Sequence, residues 1–337
     1  MKKSPSNLLT RLEENLQDRR FFKARQKILV ACSGGPDSVA LFYLLKGLSP
    51  KYGWKLGLLH FNHHLRPGSK KDETFVRTLA RKSKVPFVCG HGDVHGEAKK
   101  KKASIEECAR QMRYDFFLKA ACARKYQKIA FAHNQDDQAE TVLMRVLQGT
   151  GVRGLQGIRE RQRMEKVEIV RPILHFTKKE ILEFLRVRKI AYRTDESNDS
   201  VKFLRNRIRH QLLPVLRRDF NPRVVEALSR IPAIVAEESV LIVELEEKAW
   251  KKVLKNVRGK KVELRRSIFL RFPSALQFRM IERALKKLDE QSGLSFEAWN
   301  RIRQGLARSR FCSSLPRDID FALTSKNIMI YKKRRGA

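Results

Sequence analysis

One stretch restricts this chain more than any other. Lys27 to Cys32 (KILVAC) is a short apolar run, Ser33-Gly34-Gly35-Pro36-Asp37-Ser38 follows without a spacer, and an apolar pattern resumes in a helix expected from Asp37 to Lys46. A strand that runs through two glycines into a helix leaves several backbone N–H groups unpaired beside the positive end of a helix dipole, which makes an anion site. Gly34 and Gly35 let the backbone approach phosphates closely, and Ser33 and Ser38 offer hydroxyl donors. Asp37 is placed to hold Mg²⁺ against phosphate oxygens. The loop lacks the G-K-S/T ending of a Walker A loop, so the phosphate-binding lysine of ordinary kinases is missing. A plain glycine turn is the blander alternative; the serines and aspartate around the glycines argue against it.

Strand and helix signals then alternate. Helices are expected over residues 8–22, 72–84, 104–125, 135–148, 178–188 and 203–217, and strands over 55–60, 86–89 and 128–132, with an apolar segment at 167–174. Apolar strands separated by amphipathic helices require an α/β fold with a mostly parallel, doubly wound sheet, covered on both faces and binding its ligands where strand ends meet helix N-termini. A first domain over residues 1–217 is therefore expected. Residues 218–337 read as a helical linker, with a long helix from Asn221-Pro222 to about Asn256, and a small α+β domain. That domain has strands expected at 262–270, 310–314, 319–323 and 327–331 and helices at 274–288 and 295–308.

With 337 residues, 42% of them hydrophobic, there is material for two cores and hence for an enzyme. The 73 Lys and Arg against 36 Asp and Glu give a net charge of +37, and the excess is spread over both domains. This pattern points to a polyanionic partner, a large structured nucleic acid, whose phosphates release counterions on binding. Cys32, Cys89, Cys108, Cys122 and Cys312 contain no C-x-x-C pair, which speaks against a zinc or dithiol site and for reduced thiols. No apolar run is long enough to span a bilayer, so a cytoplasmic protein with no membrane partner is expected.

The glycine loop resembles the PP-loop of the N-type ATP pyrophosphatases. Within that group the chain is similar to the tRNA(Ile)-lysidine synthetases. The marks of that family occur in order: His60-Phe61-Asn62-His63-His64-Leu65-Arg66, Glu107 to Tyr114 (ECARQMRY), Ala132 to Thr141 (AHNQDDQAET), Gly149-Thr150-Gly151, Arg171-Pro172-Ile173, Asp195-Glu196-Ser197-Asn198 and Arg205-Asn206. The likeness is strong over residues 25–215 and weak beyond.

The resemblance implies a PP-loop ATPase fold, ATP and Mg²⁺ as cofactors, and two substrates: free L-lysine and a tRNA(Ile) with a CAU anticodon. It implies that Ser33, Gly34, Gly35, Pro36, Asp37, Ser38, His60 and Asn62 bind ATP, with Asp37 the metal ligand. Asp37, Arg113 and Asp137 would be catalytic, and Asp137 and Glu140 would hold the lysine. Each assignment has a plainer rival. Arg110, Arg113 and Glu107 share a helix face and could be a solvated ion-paired stripe. Asp137 and Glu140 open a helix, where carboxylates cap and meet the dipole anyway. Asp136 is read as a cap, and His133, Arg110 and Arg205 remain candidates. Lys99 to Lys102 is read as a solvated run or a phosphate-contacting loop. A homodimer is compatible with all of this. The implied reaction adenylates O2 of the wobble cytidine and joins lysine to C2. The rivals are a PP-loop cytidine thiolase and a non-catalytic RNA-binding protein.

Overall fold

The computed structural model describes residues 6–64, 68–164, 166–194, 204–290 and 292–333. They form two compact units, Met1–Val235 and Ala236–Ala337. The first unit is built on a six-stranded sheet in the order β3-β2-β1-β4-β6-β5, with β1 Lys27–Ala31, β2 Lys55–Asn62, β3 Phe87–His91, β4 Lys128–Ala130, β5 Arg161–Met164 and β6 Val167–Val170. The pairs β1–β2, β2–β3, β1–β4 and β4–β6 are parallel, and β5 closes the edge antiparallel to β6.

Strand β1 shows why the sheet is covered on both faces. Ile28 and Val30 pack into one cluster with α1 (Ser6–Asp18), α2 (Pro36–Tyr52) and α7 (Lys178–Val187). Leu29 points the other way, into a cluster with Tyr114 and Phe117 of α5 (Ile105–Ala123). This is the two-residue alternation of a strand buried on both sides. Helix α2 is apolar almost all round and largely buried, so its N-terminus is held rigidly against the end of β1.

The strand order decides where a ligand can bind. The chain leaves β1 outward to β2 and β3, then returns to lay β4 on the other side of β1, so the direction of winding reverses between β1 and β4. At such a switch point the loops after the two strands diverge and open a crevice. Here those loops are Cys32 to Gly35 and Phe131 to Asn134, the latter leading into α6 (Gln135–Leu147).

Several elements differ from the sequence expectation. Lys99 to Lys101 form the last turn of α4 (Val94–Lys101) instead of a loop; Asp93 caps that helix through Gly96 N, and cations at its C-terminus complement the dipole. After α3 (Ser69–Ser83) and α7, the chain near residue 204 contains two π-helical turns, Ile208–Leu212 and Leu216–Phe220, around α8 (Leu204–Arg207) and α9 (Leu213–Val215). The first turns of α10 (Val224–Val253) pack Val225 with Ala139, Ile208 and Leu213. The compact units divide at Val235, inside α10.

The second unit is an antiparallel five-stranded sheet, β7-β8-β11-β10-β9, formed by β7 Leu254–Arg258, β8 Lys261–Arg265, β9 Phe311–Leu315, β10 Ile319–Leu323 and β11 Asn327–Lys332. Its core joins Val262, Phe321 and Ile330 to α12 (Ser274–Leu288) and α13 (Phe296–Gly305). The strand expected over 262–270 ends at Arg265 and gives way to a short helix, α11 (Arg266–Phe269), and β7 was not foreseen. Among the described residues no helix is long and apolar enough to cross a membrane.

Candidate active site

The loop after β1 is wired to itself. Ser38 Oγ accepts from Ser33 N (3.2 Å) and donates to Gly35 O (3.0 Å), and Gly35 N donates to Ser33 Oγ (3.3 Å). Gly34 has φ +93°, a left-handed conformation that a side chain would strain, and its carbonyl accepts from Arg193 N (2.9 Å). Gly35 caps α2 without any side-chain cap, and Pro36 sits where a helix needs no N–H. Ser33 and Ser38 therefore hold the loop's shape while unpaired helix N–H groups face outward.

In front of the loop lies a cavity of about 470 Å³, whose wall includes Ser33, Gly35, Asp37, Ser38, His60, Asn62, Arg113 and His133. Gly34 and Pro36 belong to the loop but not to that wall. His60 Nδ1 donates to Cys32 O (2.8 Å), and burial holds its ring below the usual histidine range. Asn62 is committed to structure: Nδ2 donates to Ser69 O and to Glu73 Oε2, and Oδ1 accepts from His64 N. Burial pushes His63 down to about 4, with the nearby Arg113 guanidinium adding to the effect. Burial likewise carries His133 down to about 3, against the pull of Asp137; its Nδ1 accepts from Arg171 Nε (3.1 Å). The imidazoles on this wall are neutral at pH 7.

The two candidate arginines of α5 separate clearly. Arg113 lines the cavity and its buried Nε has no hydrogen-bond partner, whereas Arg110 is exposed and lies over the Tyr114 ring at 5.0 Å. Among the described residues no carboxylate pairs with Arg113. A half-buried guanidinium with an unpaired Nε and no carboxylate partner among the described residues, on the wall of a cavity that an anion-binding loop also lines, is the chemistry of a polyanion site.

Asp37 is placed by the first turn of α2. Its Oδ1 accepts from Asn134 Nδ2 (3.1 Å) and its Oδ2 from Lys178 Nζ (2.6 Å), yet burial still raises its pKa. Asn134 also caps α6 in a reciprocal box: its Oδ1 accepts from Asp137 N, and Asp137 Oδ2 accepts from Asn134 N. The capping role of this helix start thus falls to Asn134 and Asp137, while Asp136 Oδ2 accepts instead from Lys178 N (2.9 Å).

The other Asp137 oxygen, Oδ1, accepts from Arg205 (3.1 Å) and Arg209 (3.2 Å). Glu140, only 1% exposed, accepts from Arg205 Nε (2.9 Å) and from Arg209 Nε (2.6 Å) and Nη2 (2.9 Å). Two carboxylates one helical turn apart are therefore clamped by two guanidinia one turn apart. Sequence reading singled out Arg205 but missed Arg209, although the four-residue spacing is visible, and it missed Lys178; it marked Arg171 within the Arg171-Pro172-Ile173 motif but not as the buried strut that orients His133. Leu65-Arg66 and Asp195-Glu196-Ser197-Asn198 lie outside the described residues.

Glu73 of α3 and Cys89 and His91 of β3 bring metal-capable atoms within 4.8 Å of one another, a proximity hidden by their spacing in sequence. Both Glu73 oxygens already accept hydrogen bonds, from Asn62 and Arg77.

A family model described as a PP-loop domain matches residues 5–216. A tRNA(Ile)-lysidine synthase of Nostoc sp. is 30% identical over 295 residues, covering 84% of this chain and 84% of that protein. The tRNA(Ile)-lysidine synthase of Petrotoga mobilis is 36% identical over 220 residues, 65% of this chain and 69% of the relative. This chain belongs to the tRNA(Ile)-lysidine synthase family of PP-loop proteins. It also matches the bifunctional protein TilS/HprT of Listeria monocytogenes at 36% identity over 297 residues, 87% of this chain, but spans only 45% of that longer protein. Among solved structures, the U34-tRNA thiolase NcsA from Methanococcus maripaludis shares the fold at TM-score 0.58 and 17% identity, over 68% of this chain and 80% of that one.

Proposed function

We propose that this protein is a cytoplasmic ligase that binds ATP at the loop Ser33–Ser38, adenylates O2 of the wobble cytidine of a tRNA(Ile) with a CAU anticodon, and joins L-lysine to C2 to form lysidine. The observation that carries the reading is the cavity at the β1/β4 switch point, bounded on one side by an anion-binding loop and on the other by Arg113 with its unpaired Nε. Family membership supports it, and so does the net charge of +37, which suits a tRNA.

In this reading the loop's N–H groups receive the triphosphate and Arg113 stabilises negative charge on the phosphate under attack, in a pocket where burial strengthens the interaction. The neutral imidazoles of His60, His63 and His133 add no cationic charge to the wall. Asp37 fits Mg²⁺: it is a hard-oxygen ligand beside the phosphate loop, and its carboxylate already faces a cation, the Lys178 ammonium. When bound, Mg²⁺ would neutralise phosphate charge there. Glu140 and Asp137 are the acceptors for lysine's ammonium, which competes with the Arg205 and Arg209 guanidinia now on them.

The thiolase alternative lacks its ligands: among the described residues the one metal-capable cluster contains a single cysteine. Incubation with ATP, lysine and the tRNA, followed by mass spectrometry of the wobble nucleoside, tests the proposal. Sulfur incorporation would favour the thiolase, and an unmodified base with no pyrophosphate released would favour the RNA-binding protein.

A further inference from the structure

Outside the main cavity, chain returns bring together four side chains whose chemistry suits a metal ion. Cys89 and His91 are two residues apart on β3, so both stand on one face of the edge strand. Glu73, on α3, lies against them, and one ligand atom from each of the three lies within 4.8 Å of the other two. His64, which follows β2, completes the group: its Nε2 is 3.1 Å from His91 Nδ1, and the two rings stack at 5.2 Å. His91 Nδ1 is also 3.7 Å from Glu73 Oε2, and His91 Nε2 is 3.9 Å from Cys89 Sγ. None of the four belongs to the wall of the main cavity.

The donor set decides the ion. One sulfur, two imidazole nitrogens and a carboxylate oxygen suit tetrahedral zinc, whereas hard cations such as Mg²⁺ take oxygen ligands. In a tetrahedron with zinc's ligand distances, neighbouring donors stand roughly 3.3–3.6 Å apart. The separations of 3.1, 3.7 and 3.9 Å bracket that range. His91 now offers Nδ1 to two partners and Nε2 to the third, and its half-exposed side chain has room to turn a single nitrogen to the ion. Glu73 keeps acceptor capacity, because each oxygen that accepts from Asn62 or Arg77 has a second lone pair. Cysteine spacing pointed away from zinc because it registers neighbours in sequence, and these ligands come from separate elements.

We propose that Cys89, His91, Glu73 and His64 form a Zn²⁺ site at the edge of the parallel sheet. On binding, the Cys89 thiol gives its proton to solvent and both imidazoles ligate as neutral rings. The site has a direct link to the nucleotide wall. Asn62, which lines the main cavity, donates from Nδ2 to Glu73 Oε2 (3.1 Å) and accepts at Oδ1 from His64 N (3.0 Å). Bound Zn²⁺ therefore pins the end of β2 to α3 and β3 and holds Asn62 through both ends of its amide. This inference stands apart from the function proposed above.

The test titrates the full chain, stripped of metal by a chelator and free of nucleotide, with Co²⁺ alone and then with Zn²⁺. One Co²⁺ per chain with sulfur-to-cobalt charge-transfer absorption, bleached by an equivalent of Zn²⁺, is expected. In Cys89→Ser that absorption should vanish and Zn²⁺ affinity should fall by more than about a hundredfold, beyond the loss caused by removing a group that only orients a ligand. His91→Ala, at a half-exposed position, should lose affinity to a similar extent, whereas Cys122→Ser, an exposed thiol outside the cluster, should match the wild type. Zn²⁺ should raise the thermal midpoint of the wild type and leave that of Cys89→Ser unchanged. Cobalt bound without sulfur absorption, or absorption that survives Cys89→Ser, would overturn the site. So would equal Zn²⁺ affinity in the wild type and His91→Ala.

Discussion

Replacing Glu140 with glutamine probes the clamp beside the anion loop. Glu140 is 1% exposed and accepts three hydrogen bonds from two guanidinia. Breaking a fully buried ion pair costs about 3–5 kcal/mol. Two features lower that figure here. The side chains of Arg205 and Arg209 are 29% and 38% exposed, so water screens part of the lost charge. Both guanidinia also keep Asp137 Oδ1, at 3.1 and 3.2 Å. The expected loss is about 1.5–3 kcal/mol, the value of a charged hydrogen bond. Urea unfolding should show it as a lower midpoint with an unchanged slope. If the same carboxylate takes the lysine ammonium, the lysine KM should rise by roughly ten- to a hundredfold, whereas AMP attachment to tRNA without lysine should survive. A midpoint and a lysine KM both equal to the wild type would refute the reasoning.

The remaining predictions concern charge. Asp37→Asn should abolish pyrophosphate release while leaving tRNA affinity within about threefold, since it removes a metal ligand and not the basic surface; normal turnover would take Asp37 out of the site. Affinity for tRNA should fall steeply with salt, and a flat response between low and high salt would dismiss the basic surface as the RNA platform. Stability should decline as pH drops from about 6.5 toward 5: the unfolded chain protonates His60, His63 and His133 near the ordinary histidine value, while the folded chain, with His63 near 4, does not. Each such group contributes up to about 1.4 kcal/mol per pH unit. His63→Asn should flatten that slope under urea denaturation, and stability that rose on acidification through this range would contradict the assignment.

The loop and its setting were legible because they are local: a strand, two glycines and a helix start are contiguous in sequence, and apolar alternation gave the parallel sheet around them. What escaped depends on chain returns. β5 is polar and short, Arg161 to Met164, and is a strand only because β6 pairs with it. Glu73 meets Cys89 and His91 because α3 packs beside β3, which their spacing does not announce. Lys178 is 141 residues from Asp37, and only the packing of α7 on α2 joins them. Asp137 and Glu140 were readable as a shared helix face, but not as carboxylates already paired with Arg205 and Arg209, because the π-helical turn at Ile208 sets where Arg209 points.

The central claim is that the cavity at the end of β1 activates a tRNA base with ATP. The most direct measurement uses ATP labelled in its α-phosphate, a tRNA(Ile) transcript with a CAU anticodon, and no lysine. Label retained on the wobble cytidine of the tRNA, lost again when lysine is added and replaced by lysidine, is the predicted result. Label that never joins the tRNA, while the tRNA binds and ATP stays intact, would contradict the account.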